Sequence, residues 1–164
     1  MFSKNDTVVY GVHGVCTIVD IVEKEIMDII QTYYLLKPVY DDRSTYCVPV
    51  KNAAEKLRYV MPKSKLEEIF LTLPKDIPEW ILPDITRKEI FKQIILGGDP
   101  AELLQLMRCI CNHRVCQIES GRKLHITDEI FLKEAQKIIC DEVAFVYNIG
   151  RETATKIVAD KINI

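Results

Sequence analysis

The stretch PKDIPEWILPD, residues 74–84, places three prolines in eleven positions. Proline lacks an amide donor and crowds the residue before it, so neither a helix nor a sheet ladder runs through such a segment. The chain must organise on either side of it, and its apolar residues keep a different period on each side. Upstream, residues 7–10, 15–22, 32–36 and 45–50 are short runs rich in Val, Ile, Thr and Tyr, the composition of pleated, half-buried strands. Gly11, Val12, His13 and Gly14 interrupt the first two runs, and the polar segment Asp41 to Ser44 separates the last two. Both glycines reach backbone angles closed to other residues and set a turn, which His13 packs on or caps. Pro49 marks a strand edge or end. Runs this short and this close predict a small curled antiparallel sheet or barrel.

Past residue 62 the period lengthens. Ser64 and Glu67 have the spacing of a capping box, which opens a short helix carrying Leu66, Ile69, Phe70 and Leu73. After the prolines, residues 85–96 repeat apolar side chains at helical spacing until Gly97 and Gly98 end the run. Asp99 then supplies a cap acceptor, Pro100 a first-turn residue and Glu102 a carboxylate at the positive end of the helix dipole. Leu103, Leu104, Leu106, Met107 and Ile110 form the buried stripe of that helix. A further helix is expected over 127–148, with Ile130, Phe131, Ala135, Ile138, Ile139 and Val143 inside, and a last one over 152–161. The predicted class is α+β: a small β domain at 1–62, a short helix and proline-rich hinge at 63–83, and an all-α bundle at 84–164.

Hydrophobic residues make up 48% of the 164-residue chain and charged residues 28%, enough to bury a core and remain dissolved. No secretory leader or membrane span is expected, which points to the cytoplasm. Six cysteines are scattered through apparent strand and helix interiors, a pattern of reduced thiols rather than of a disulfide framework. The net charge of −2 excludes nucleic-acid attraction through a global positive excess, so any DNA contact must be local.

The segments DTVVYGVHGVCTIVDI, YYLLKP and VPVKNAAEKLRYV together resemble the CarD/CdnL family of bacterial transcription regulators, whose N-terminal module also occurs in transcription-repair coupling factor. LGGDPAELLQLMR and LHITDEIFLKEAQKIICDEVA resemble the family's helical half. The resemblance implies a Tudor-like barrel that binds the RNA polymerase β-subunit lobe, followed by a helical domain that contacts promoter DNA at the upstream edge of the open bubble. It also implies a monomeric, non-catalytic, free-standing regulator without cofactor or membrane contact. The residues agree on catalysis, since neither a phosphate-binding glycine loop nor a nucleophile elbow occurs.

On this resemblance, Lys24, Ile26, Cys47 and Pro49 lie along the polymerase-binding strand edge, with Lys24 at a basic family position and Cys47 where an arginine is common. The family also wedges a tryptophan into the minor groove. Trp80, the only tryptophan, fits that role or the alternative of packing the hinge onto the bundle. Phosphate contacts are expected from Arg87, Lys88, Lys92, Arg114, Arg122 and Lys123. Residues 86–123 hold seven basic and four acidic side chains, a modest excess that predicts weak, largely non-sequence-specific binding to promoter DNA. The competing signal is CICNHRVC, where Cys109, Cys111, His113 and Cys116 offer zinc-type ligands. A metal or redox sensor is therefore the alternative class, although on a helix Cys109 and Cys111 would point to different faces. A second alternative keeps the fold and docks another protein. His125 is expected near the cap of the long helix, where a protonated ring would be within reach of phosphate.

Overall fold

A computed structural model describes residues 1–164 apart from the side chain of Ile26. Strands β1 (Thr7–Tyr10), β2 (Val15–Ile26), β3 (Ile29–Pro38), β4 (Tyr46–Pro49) and β5 (Leu57–Tyr59) form one antiparallel sheet in the order β4-β3-β2-β1-β5. The β2–β3 hairpin turns at Met27 and Asp28, whose φ values of 52° and 60° match the twist of the flanking strands. A register shift between Ile18 and Asp20 bends β2 and curls the sheet.

The sheet is not a closed barrel. Strands β4 and β5 remain its two edges, because Pro49 ends β4 and the chain then coils through a 3₁₀ turn, Val50–Asn52, into the one-turn helix α1, Ala53–Lys56. That coil closes the seam with side chains: Ala53 and Leu57 are buried with Val8, Cys16, Ile18, Tyr34, Leu36 and Val48.

Five longer helices follow: α2 (Lys63–Thr72), α3 (Asp84–Gly97), α4 (Pro100–Glu119), α5 (Ile126–Tyr147) and α6 (Arg151–Ile162). Asp99 caps α4 by accepting from the Glu102 amide at 3.0 Å. The expected capping box at Ser64 does not form; α2 starts two residues earlier from Pro62, whose carbonyl takes the first amides. The predicted stripe of α4 is buried throughout, but Ile130 of α5 is 49% exposed, against expectation. The α5 core follows Leu132, Ala135, Ile139 and Val143, and Ile130 lies off that stripe. Among the described residues no helix is long and apolar enough to cross a membrane.

Sheet and helices share a core, since Val9 and Val15 are buried in the same cluster as the apolar faces of α3 to α6. Polar contacts fix the junction. Arg58 of β5 donates to both carboxylate oxygens of Glu142 on α5, at 2.7 and 2.6 Å, and Glu142 is fully buried. Glu142 also accepts from the Met61 amide at 2.9 Å, and Arg58 donates to the Gly98 carbonyl at 3.0 Å. The turn at residues 11–14 docks on the same helix: Lys137 donates to the Val12 carbonyl at 3.0 Å. A Cβ at Gly14, where φ is +76°, would lie 2.5 Å from Asp141 Oδ2. His13 packs as expected, its ring 4.0 Å from Tyr46 and 4.7 Å from Tyr10.

Candidate functional site

Two surfaces collect the candidate residues. The first is the outer face of the sheet. Directly paired residues of antiparallel strands share a face, and the register pairs Val22 with Tyr33, Lys24 with Gln31, Leu35 with Cys47 and Tyr33 with Pro49. Tyr34, Leu36 and Val48 alternate with these and are buried, so the first set looks outward. Lys24 Nζ lies 3.2 Å from Cys47 Sγ, and Val22, Tyr33 and Leu35 form a half-exposed apolar band beside them. Strand β4, carrying Cys47 and Pro49, leaves its outer edge unpaired, which suits the addition of a strand from a partner. Ile26 pairs with Ile29 at the far end of the hairpin; its side chain lies outside the described residues.

The second surface is a cleft of about 400 Å³ between the proline-rich segment, α3, α4 and the start of α5, lined in part by Trp80, Leu82, His113, Lys123 and His125. The segment before α3 does not swing as a free hinge. Arg108 donates to the carbonyls of Pro74 and Lys75, each at 2.5 Å. Trp80 is held from several directions: His113 stacks on it with ring centroids 3.6 Å apart and planes within 7°, the Arg87 guanidinium lies 4.4 Å from its ring centre, and Phe91 meets it edge-on at 6.0 Å. Burial, and then the nearby Arg87 charge, hold the His113 pKa below its usual value. His113 Nε2 sits 3.0 Å from the Gln117 amide nitrogen, a contact in which a neutral ring accepts.

Arg87, expected to bind phosphate, is only 2% exposed. Its Nε and Nη2 donate to Asp128 at 3.1 Å each, and its Nη1 donates to Asp84 at 2.6 Å and to the Ile81 carbonyl at 3.3 Å. Such a paired and buried guanidinium has its donors committed within the fold. Its hydrogen bond and charge hold the Asp84 carboxyl below the usual carboxylate range.

The cysteine cluster falls on α4 as a continuous helix. Cys109 and Cys111 are buried, Cys116 is exposed, and burial pushes both inner thiols up, away from the thiolate that metal binding or redox chemistry needs. Among the described residues no three His, Cys, Asp or Glu side chains are grouped to hold a metal ion.

Residues 2–61 match the family model of the CarD-like/TRCF RID domain, an RNA polymerase-interacting module. That stretch of the chain is therefore similar to the CarD-like/TRCF RID domain. No curated protein matches the chain. The match covers the sheet, with its outward face of Lys24, Cys47 and Pro49, and stops before α2.

Outside the matched domain, the cleft brings together Trp80, Arg87 and Lys123. Arg122 is exposed beside Lys123, and Lys88 stands one turn along α3 from Asp84. Arg114 lines a different hollow with Ile77 and the C-terminal Ile164, and exposed Lys92 is not part of the cleft lining. His125 is the cap of α5: its Nδ1 accepts from the Thr127 amide at 3.3 Å. Sequence reasoning missed the Trp80–His113 stack and the Arg58–Glu142 pair, whose partners lie far apart in the chain. A buried acid flanked by Asp141 and Val143 on an apolar helix stripe was the one available signal for the latter.

Proposed function

We propose that this CarD-like protein is a non-catalytic bacterial transcription regulator working in the cytoplasm. Its sheet docks on the β-subunit lobe of RNA polymerase through the outer face and free edge of β4. Its helices contact promoter DNA near the upstream edge of the open bubble and so change the lifetime of the open complex. The observation that carries this reading is the Lys24–Cys47 contact beside the unpaired β4 edge, inside the RNA polymerase-interacting domain.

Main-chain pairing along β4 supplies attachment without a large charge, and the apolar band of Val22, Tyr33 and Leu35 gives the docked strand a surface to pack on. Lys88, Arg122 and Lys123 are the phosphate contacts nearest the cleft. So few cations bind DNA weakly by themselves, and the polymerase supplies the proximity that makes them effective.

A pull-down of the full chain with the isolated β-subunit lobe tests the first step. Wild type is retained, and Lys24→Glu, on the outward face, is retained less; a folded wild-type protein that fails to bind removes the reading. Open-complex lifetime measured with and without Lys123→Glu tests the second, with the variant expected to have the smaller effect.

A further inference from the structure

The six thiols of the chain differ sharply in what surrounds them. Cys16, Cys109, Cys111 and Cys140 are buried, and burial pushes each of them up, away from reaction with solvent oxidants. Cys116 is exposed on α4, but among the described residues no lysine nitrogen contacts its sulfur. Cys47 is exposed on the edge strand β4, with Lys24 Nζ 3.2 Å from its Sγ. Glu23 and Glu25, the neighbours of Lys24 on β2, point to the opposite face of the strand. Among the described residues no carboxylate lies within ion-pair distance of Lys24. The sulfur is therefore the polar partner of this amine, and both are open to solvent.

We propose that Lys24 and Cys47 form a covalent modification site: hydrogen peroxide joins them through a sulfur–nitrogen bond, and the bridge releases the sheet from polymerase. The release rests on the polymerase reading above; the bond does not. Peroxide transfers one oxygen to the Cys47 sulfur and leaves as water, so the thiol becomes a sulfenic acid, which condenses with a nearby nitrogen. The Lys24 amine attacks that sulfur. The S–O bond breaks as the S–N bond forms, and the departing hydroxide takes an amine proton to leave as a second water. One thiol, one amine and one peroxide thus give a sulfenamide and two waters, with sulfur oxidised by two electrons and peroxide reduced by two. Holding the nitrogen beside the sulfur makes the second step effectively unimolecular, ahead of further oxidation. Strands β2 and β4 are separated by β3 in the sheet. A bond between their outward side chains must cross β3 and fix a chain over the apolar band of Tyr33 and Leu35. It also removes the positive charge of Lys24. Two molecules of a free thiol reverse the change, returning Cys47 and Lys24 and forming one disulfide.

The test treats the full chain with hydrogen peroxide and reads it by mass spectrometry, intact and after proteolysis. Wild type becomes lighter by the mass of two hydrogen atoms and yields one peptide that joins the Lys24 and Cys47 segments; dithiothreitol restores the original mass. Cys116→Ser forms the same bridge. Lys24→Arg keeps a cation beside the sulfur but lacks the amine, and it gives no bridge while Cys47 proceeds to the sulfinic acid. Retention of wild type by the isolated β-subunit lobe is expected to fall about tenfold on peroxide treatment, the order for losing one hydrogen bond to a charged group, and to recover with dithiothreitol. Cys47→Ser, compared with its own untreated sample, does not respond. Oxidation of wild-type Cys47 without a joined peptide overturns the site. A bridge that forms and leaves retention unchanged overturns the release, and if the untreated protein does not dock at all, the release falls with the polymerase reading while the bridge stands.

Discussion

Gly14 and Glu142 carry much of the junction between sheet and helices. Gly14 combines a left-handed φ of +76° with Asp141 Oδ2 at the place a Cβ would need, so Gly14→Ala meets backbone strain and a clash together. A loss of about 2–4 kcal/mol is expected in urea unfolding, partly relieved by adding Asp141→Ala. Glu142→Gln leaves Arg58 without its bidentate counter-charge and should cost about 3–5 kcal/mol in the same measurement, the range for breaking one side of a buried pair. His113 gives a pH signature. Its folded-state pKa lies below the ordinary 6.5, so the stability it contributes is present above 6.5 and is lost as pH falls through the lower, folded value. Because Trp80 is the only tryptophan and stacks on His113, its fluorescence should change with a midpoint below 6.5. The His113→Phe variant should be flat over the same range; a transition surviving in that variant would assign the titration to another group.

Among the elements, helices were more legible in the sequence than strand closure. The α4 signals are local: Asp99, Pro100 and the stripe from Leu103 to Ile110 lie within a few residues of what they act on. Removing the cap with Asp99→Ala should cost about 1 kcal/mol in urea unfolding, whereas Ile110→Ala, which empties a fully buried site, should cost about 2–5 kcal/mol. Closure of the sheet depends instead on whether two strands of four and three residues meet across the coil between them, and no local pattern encodes that. The same holds for the proline-rich segment, read as a hinge because proline stops a helix. It is strapped down by Arg108, whose contact with Pro74 joins residues 34 apart. The family resemblance and its place just after Trp80 make Arg87 a candidate phosphate ligand, but its partner Asp128, which commits the guanidinium to the fold, is 41 residues away. Lys24 and Cys47 were legible as neighbours only through the family resemblance, and the sheet register then supplied the physical reason.

At the scale of the whole molecule, the shared core and the Arg58–Glu142 pair predict one cooperative unfolding transition. Trp80 fluorescence reports the helices, and the NMR signals of Tyr34 report the sheet. The two should coincide in wild type; separate midpoints would show that sheet and helices unfold independently. The junction also sets what the molecule can measure. With the β4 edge in the sheet, the Trp80 cleft among the helices and the buried pair joining the two, the proposed docking makes the chain a caliper of fixed span. A caliper responds to how many base pairs separate the polymerase lobe from the melted step. Promoters would then be sorted by length along the helix rather than by the letters within it.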